Sequence, residues 1–212
     1  MKRREFLRAL SAGLAAAPVA AVMHPPVHEG WGPADMGMGG EGEKRVTKNW
    51  LWLGPDPDVS DDEYSRRFER LKRAGIDAIL PEIFNNRQAF WGSEHLPVVA
   101  PVLERLIPLA HATDIEVHAW SHIMTCNVPD VMETHPEWYD VNRKGESARD
   151  KPAYVDYYRF MCPSRPGVQQ FLQQRMRELA AIDGLDGIHL DYIRFPDVIL
   201  AEALQPKYDL VQ

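Results

Sequence analysis

The chain alternates short apolar runs with amphipathic stretches, and this alternation constrains its fold more than any other feature. The segments, in order, are 49–55, 60–75, 76–84, 96–114, 115–123, 164–184 and 185–195. The second, fourth and sixth repeat apolar residues every three to four positions, as helices do. The others are continuously apolar, as strands covered on both faces are. The order β-α-β-α-β-α-β predicts an α/β fold with a parallel sheet.

End signals support the three predicted helices. Ser60 is a good N-cap for the first, and Asp61 to Glu63 place negative charge in its first turn. Gly75 would end that helix, and the second is expected after Pro101. Ser164 is the expected cap of the third helix, with Pro166 near its first turn.

The N-terminus has the composition of an export signal. Residues 1–21 begin with adjacent Arg3 and Arg4, continue into a short Ala/Leu-rich core and end in small residues. This order predicts a twin-arginine signal peptide that requires the twin-arginine export machinery and leaves no stable membrane anchor after cleavage. A flexible linker is expected at residues 22–45, followed by the folded domain from 46 to 212. The predicted location is the periplasm or the extracellular space of a bacterium.

Charge and cysteine content limit the partners. The formal net charge is −7, which makes nucleic acid and anionic membranes poor partners. The predicted signal carries four positive charges and one negative, so the mature chain would be near −7 − 3 = −10. Cys126 and Cys162 are too few for a disulfide scaffold, and both a single bridge and two free thiols remain open.

Polar and aromatic side chains gather at and near the ends of the predicted strands. They are Asp56, Glu82, Asn85, His118, Trp120, His122, Asp191 and Arg194. By period-two alternation, His118, Trp120 and His122 share one face of the third strand, and His189 and Asp191 share one face of the fourth. That lining is too polar for a plain core. Asp191 lies between Leu190 and Tyr192, where an unpaired charge is costly, so a catalytic site is expected here.

Four motifs resemble the family-10-like glycosyl hydrolases. They are VHAW (117–120), HPEWYDVN (135–142), CPSRPGVQQFL (162–172) and DGIHLDYIRFP (186–196), within a resemblance that covers roughly Asn49 to Asp197. The resemblance implies a (β/α)8 TIM barrel related to the hydrolase domain that cuts partly deacetylated poly-N-acetylglucosamine. It also implies a carbohydrate substrate and a functional aspartate at Asp191.

A weaker likeness connects the fourth strand to the family 18 chitinases, whose motif is D-G-x-D-x-D-x-E. Asp186, Gly187 and Asp191 match that pattern. His189 replaces its middle aspartate and Ile193 replaces its acid glutamate, so chitinase chemistry of that kind is not expected.

Glycoside hydrolysis usually requires two carboxylates that flank the bond. Asp191 is the first candidate, either as an acid among aromatic rings or, beside Arg194, as an ionised nucleophile; a structural ion pair with Arg194 is its alternative role. Glu82 is the second candidate, with a salt bridge to Arg87 or Arg194 as its alternative. The predicted substrate-binding residues are His118, Trp120, His122, His189, Tyr192, Arg194 and Trp138. Trp138 could instead anchor its loop.

No cofactor is predicted. His118 and His122 lie four residues apart, which on a strand is roughly 13 Å, so they cannot share one metal ion. A metal-dependent hydrolase using His118, His189 and Asp191 ranks last among the functions considered. Because an eight-unit barrel needs four more strands, the sequence predicts only the N-terminal half of a secreted glycoside hydrolase. Two competing hypotheses are a carbohydrate-binding pseudoenzyme and a truncated, inactive fragment.

Overall fold

The computed structural model describes residues 47–153 and 155–196. The predicted signal peptide and the whole of the predicted linker lie outside the described residues, as does Asp197. The strands are β1 (Trp50–Leu53), β2 (Ala78–Phe84), β3 (Glu116–His122) and β4 (Gly187–Asp191). The helices are α1 (Asp61–Arg73), α2 (Val102–His111), α3 (Pro129–Thr134) and α4 (Pro166–Ala181), and a 3-10 turn spans Pro136–Trp138.

The four strands form one parallel sheet in the order β1-β2-β3-β4. Parallel strands joined through helices in consecutive order are the arrangement of a (β/α)8 barrel, and the described part contains three βα units and a fourth strand. This confirms the predicted fold class. In the described part of the chain no further strand pairs with β4, and Leu190 on that strand is 44% exposed.

Strand register divides the sheet into two faces. On the helix side, Val117 and Ala119 of β3 are fully buried, and Ile188 of β4 packs against the same core. The opposite, inner face carries the polar and aromatic side chains, because Glu82 pairs with Trp120 and Trp120 pairs with His189. The predicted division of β3 and β4 into an apolar face and a polar face is therefore confirmed.

The first helix begins and ends where the sequence predicts. The Ser60 side chain accepts a hydrogen bond from the Glu63 amide at 3.3 Å, and Gly75 follows the helix with φ +85°. The buried faces of Tyr64 and Phe68 hold α1 against the sheet. Together these signals explain why a chain with so many charges in this segment still forms a packed helix.

The prediction that Ser164 caps α4 is wrong. Arg165 occupies the N-cap position and no side chain forms a capping hydrogen bond there. Pro166 lies in the first turn as expected, because its fixed φ suits that position and its missing N–H costs nothing there. The segment between β3 and α4, for which the sequence predicts no helix or strand, contains α3 and the 3-10 turn. Cys126 and Cys162 are both free thiols.

Among the described residues, no helix combines the length and apolar content needed to cross a bilayer.

Candidate functional site

Five of the predicted site residues meet at the carboxyl end of the sheet. They are Glu82, Trp120, His122, Asp191 and Tyr192, which we call the carboxylate cluster. Register brings them together, since Glu82 pairs with Trp120 across β2 and β3, and His122 pairs with Asp191 across β3 and β4. In barrels of this kind the chemistry takes place at the carboxyl ends of the strands.

Asp191 is held in a fixed orientation by two N–H donors. The indole Nε1 of Trp120 donates to Oδ2 at 2.9 Å, and the backbone amide of Tyr192 donates to Oδ1 at 2.7 Å. Both oxygens therefore accept hydrogen bonds, as those of an ionised carboxylate do. The side chain is half-buried, so a ligand on the inner face of the sheet can still reach it.

The backbone adopts a rare conformation immediately after Asp191. Tyr192 has φ +52°, in the left-handed region that bulky residues seldom occupy. The ladder with the chain after β3 nevertheless continues, because the amides of Ile123 and Met124 donate to the carbonyls of Asp191 and Tyr192 at 2.8 and 3.1 Å. Strained residues that the surrounding structure holds in place are concentrated at functional sites.

Glu82 forms an ion pair with a histidine instead of the arginines considered from the sequence. Its Oε1 lies 3.0 Å from His122 Nε2, and the His122 side chain is only 11% exposed. The other ring nitrogen, Nδ1, is buried and has no hydrogen-bond partner among the described residues. The pair thus combines a carboxylate with an imidazole, whose ring nitrogens can donate or accept a proton.

A buried arginine on the helix side fixes the end of β3. The Nη2 atom of Arg175 donates to the His122 carbonyl at 2.8 Å and to Ser121 Oγ at 2.9 Å, and the guanidinium lies 4.1 Å from the centroid of the Phe84 ring. Burial lowers the pKa of Arg175 to about 10. The sequence does not reveal this role of Arg175, because an arginine within QQRMRE is typical of a solvated helix face.

Tyrosine and arginine side chains complete the rim of the cluster. The Tyr192 ring packs 4.4 Å from the His122 ring, and its hydroxyl lies 3.1 Å from that of Tyr158. The guanidinium carbon of Arg194 lies 5.3 Å from the Tyr192 ring centroid and 5.7 Å from that of Phe160. Tyr158 could not be predicted from the sequence, because it lies 34 residues from Tyr192, in a loop without a periodic pattern.

The two remaining predicted histidines lie deeper on the inner face. His189 pairs with Trp120 in register, and its ring is 5.9 Å from that of Trp52. His118 lies two residues before Trp120, with its ring 4.3 Å from the Trp50 ring and its Nε2 3.2 Å from Glu116. The structure therefore does not bring His118 to the carboxylate cluster, and its role in substrate binding stays a prediction.

Trp138 also lies outside the cluster. Its ring stacks on His135 at 3.9 Å with an interplanar angle of 3°, and packs 5.5 Å from Phe171 of α4. A Cβ atom on Gly167 would lie 2.5 Å from its Nε1, so the ring is pressed against the first turn of α4. These contacts favour the alternative in which Trp138 anchors the loop.

Within the residues that the structure describes, no three His, Cys, Asp or Glu side chains are grouped closely enough to hold a metal ion.

Comparison with known proteins gives a family match over most of the folded part. Residues 49–203 match the model of the family described as Glycosyl hydrolase-like 10. A search of curated proteins gives no match.

Solved structures share the architecture at low sequence identity. A hypothetical protein from Ruminiclostridium thermocellum ATCC 27405 is 19% identical with a TM-score of 0.52, over 69% of this chain and 78% of that one. A maltogenic alpha-amylase from Thermotoga neapolitana is 12% identical with a TM-score of 0.48, over 71% of this chain and 40% of its own. An alpha-amylase from Geobacillus thermoleovorans complexed with acarbose is 16% identical with a TM-score of 0.49, over 71% and 41%. The chain spans less than half of either amylase.

Proposed function

The chain belongs to the glycosyl hydrolase-like 10 family, and we propose that it forms part of a secreted glycoside hydrolase that cleaves a polysaccharide with Asp191 as a catalytic carboxylate. One observation carries this proposal: Asp191 is half-buried at the carboxyl end of β4 and is oriented there by the Trp120 indole and the Tyr192 amide. Family membership supports glycosidase-like chemistry.

The geometry suggests separate chemical roles for Asp191 and for the Glu82–His122 pair. A carboxylate whose two oxygens accept hydrogen bonds is suited to attack or stabilise an oxocarbenium-like sugar carbon. Glu82 lies on β2, two strands from Asp191, and its Oε1 lies 3.0 Å from His122 Nε2. We assign this pair the proton transfer to or from the glycosidic oxygen or a water, because His122 can hold the proton that Glu82 releases.

The site also contains surfaces on which a sugar can bind. Trp50 and Trp52 on the inner face of β1 are 43% and 57% exposed. Flat aromatic rings of this kind pack against the apolar faces of sugars. Together with Tyr192 and Tyr158 at the rim, they outline a binding face that leads to Asp191.

Export belongs to the same proposal and rests on the first 21 residues, which the structure does not describe. A protein exported by the twin-arginine route would act on glycans outside the cytoplasm. Cell fractionation of the wild type and of a variant with Arg3 and Arg4 both changed to Lys tests this, and equal export of both would count against it.

The test of the catalytic assignment is Asp191→Asn in the full-length protein. The amide keeps the size of the side chain and loses its charge, so we expect release of reducing ends from the polysaccharide that the wild type cleaves to fall at least ~10²–10⁴-fold. Asp62→Asn is the matched control, because Asp62 is exposed in the first turn of α1. If Asp191→Asn were as active as the control, the assignment would be lost. Glycan binding without turnover by the wild type would indicate the carbohydrate-binding alternative.

A further inference from the structure

A cavity that is open to solvent lies at the same end of the sheet as the carboxylate cluster. Its volume is about 540 Å³, within the ~300–1,000 Å³ typical of ligand pockets. Its polar lining consists of Arg87, Asn127, Arg149, Arg159, Glu133 and Asp150, which we call the arginine cavity. Arg87 follows β2 and Asn127 follows β3, so both loops leave the carboxyl ends of strands that carry cluster residues.

The arginine cavity has an excess of positive charge in a chain whose formal net charge is −7. Three guanidinium groups face two carboxylates in the lining, which gives 3 − 2 = +1. One of the two acids is already engaged, because Arg149 Nε donates to Asp150 Oδ1 at 2.8 Å. A positive cavity beside a polysaccharide site in an acidic protein favours a negatively charged ligand.

Hydrogen bonds within the protein hold two of the three arginines. Arg159 donates from Nε to the Arg149 carbonyl at 2.7 Å and from Nη1 to Asn127 Oδ1 at 2.8 Å. Arg149 Nη1 donates to the Met132 carbonyl at 3.3 Å. Because these bonds fix the side chains before a ligand arrives, less conformational entropy is lost on binding.

The wall between the two loops is also fixed in advance. Asn86 is buried with φ +68°, a conformation that asparagine tolerates better than most residues. Asn127 Nδ2 donates to Asn86 Oδ1 at 2.9 Å, and the Asn127 amide donates to the Asn86 carbonyl at 2.7 Å. This double contact holds Arg87, the next residue, at the edge of the arginine cavity.

Arg87 is the arginine whose donors are left for a ligand. Its side chain is exposed and forms no hydrogen bond or ion pair with the residues that the structure describes; only its backbone amide is bonded, to Asn85 Oδ1 at 3.2 Å. A guanidinium presents a planar fork of N–H donors that matches the two oxygens of a carboxylate or sulfate.

We propose that the arginine cavity binds an oxyanion substituent of the glycan, a uronate carboxylate or a sulfate ester, with Arg87 as the contacting group. The inference rests on the proposed function, because it makes the substrate an anionic polysaccharide whose charged residue lies beside the bond that Asp191 acts on. Arg149 and Arg159 supply the positive field, and Arg87 the ligand contact.

The experiment measures binding, which does not depend on turnover. The full-length wild type, Arg87→Ala and Arg73→Ala are titrated with oligogalacturonate and with its carboxyl-reduced neutral form, then with dextran sulfate and with dextran. Arg73 is the matched control, since it is an exposed arginine at the end of α1 that forms one loose pair with Glu69 at 3.8 Å. Circular dichroism confirms that both variants are folded.

We expect Arg87→Ala to weaken binding of one anionic polymer at least fivefold and to reduce its salt dependence, while Arg73→Ala and the neutral polymers show no change. The polymer that responds identifies the carboxylate or the sulfate as the ligand. Equal affinity of the wild type and Arg87→Ala for both anionic polymers overturns the proposal, even if glycan hydrolysis is demonstrated. Loss of anion binding in Arg87→Ala with no hydrolysis by the wild type supports the arginine cavity and counts against the proposed function.

Discussion

The two ends of the parallel sheet both carry charged side chains, but they differ in what those charges contact. At the amino end, acids meet bases: Lys48 Nζ bonds to Glu116 Oε1, and His111 Nε2 lies 2.8 Å from Asp186 Oδ2. At the carboxyl end, Glu82 also contacts a histidine, His122, but Asp191 accepts its bonds from an indole and a backbone amide.

The pKa shifts of charged residues also differ between the two ends of the sheet. The hydrogen bond with Lys48 lowers the pKa of Glu116, and the same bond raises the pKa of Lys48. Beyond the carboxyl end, in the loop after β3, burial raises the pKa of Asp140 to about 6, and its Oδ2 has no hydrogen-bond partner among the described residues. Contact with Lys48 thus stabilises the charged form of Glu116 at the amino end, whereas burial destabilises the charged form of Asp140 beyond the carboxyl end.

The two ends of the sheet therefore carry different kinds of contact. Ion pairs at the amino end hold strands and helices together, because the Asp186 carboxylate also accepts the Val117 amide at 2.7 Å and so connects β3 to the start of β4. At the carboxyl end, the strained backbone conformation of Tyr192 accompanies an Asp191 side chain that is held in one orientation. This matches the general pattern of barrels, in which the lower face contributes stability and the upper face carries the reaction.

The largest predicted effect comes from adding one methyl group at the amino end of the sheet, where it would disrupt the packing. A Cβ atom on Gly187 would lie 2.4 Å from His118 Nδ1, and the His118 ring is held between Trp50 and Glu116. We expect Gly187→Ala to lower the free energy of unfolding by ~1–3 kcal/mol, as overpacking does. Urea unfolding followed by circular dichroism measures this.

The control for that prediction lies at the other end of the sheet. Gly54 follows β1, and a Cβ atom there would meet nothing within 4 Å. Gly54→Ala is therefore expected to change the free energy of unfolding by no more than ~0.5 kcal/mol. If both variants were equally stable, the tight packing of the amino end would be refuted.

The next prediction concerns the unfavourable buried charge of Asp140. Its pKa of about 6 exceeds the usual 3.8, so between about pH 4 and 6 the folded state holds a proton that the unfolded state has released. Wild-type stability attributable to this group therefore falls as the pH rises through that window. Asp140→Asn removes the charge, and we expect it to stabilise the protein at pH 7 by about 1 kcal/mol and to be neutral below pH 4.

Thermal unfolding at pH 3.5, 5 and 7 measures the Asp140→Asn effect. Asp150→Asn is the control, because Asp150 is an exposed acid in the same loop that already bonds Arg149. A gain at pH 7 that persists unchanged at pH 3.5 would show that ionisation of Asp140 is not its cause.

Sequence periodicity predicted the fold and the shared face of three of the five cluster residues, because both depend on local order. Alternation along β3 and β4 places Trp120, His122 and Asp191 on one face, and parallel strands bring that face together. The Glu82–His122 pair was not predicted. The pair forms only in the observed register between β2 and β3. That register is irregular between Glu82 and Phe84, and no sequence pattern indicates the irregularity.

Contacts that depend on tertiary packing were also missed or misplaced. Trp138 was predicted to bind substrate or to anchor its loop, and the small Gly167 lets its ring pack onto α4. Arg175 was missed because its partners, Ser121 and the His122 carbonyl, lie more than 50 residues away. No pattern along the chain signals a hydrogen bond over that separation.

The smallest predicted effect concerns a contact of this long-range kind, the pair between Lys48 and Glu116, which are 68 residues apart. Glu116 has a lowered pKa, so its contribution to stability is present above the usual value of 4.5 and is lost as the pH falls through the folded value. We expect Glu116→Gln to lower Tm by about 1–3 °C at pH 7 and low salt, because the pair is largely exposed. The loss should diminish as the pH falls below 4.5 and should shrink in 1 M salt. Glu69→Gln, which affects only the loose pair with Arg73 on α1, should show neither trend.

The pH dependence of Glu116→Gln is opposite in sign to that of Asp140→Asn. Thermal unfolding of both variants across the same pH series therefore tests whether acids at the two ends of the sheet affect stability differently. If the two variants shifted Tm in the same direction at pH 7, that distinction would not hold.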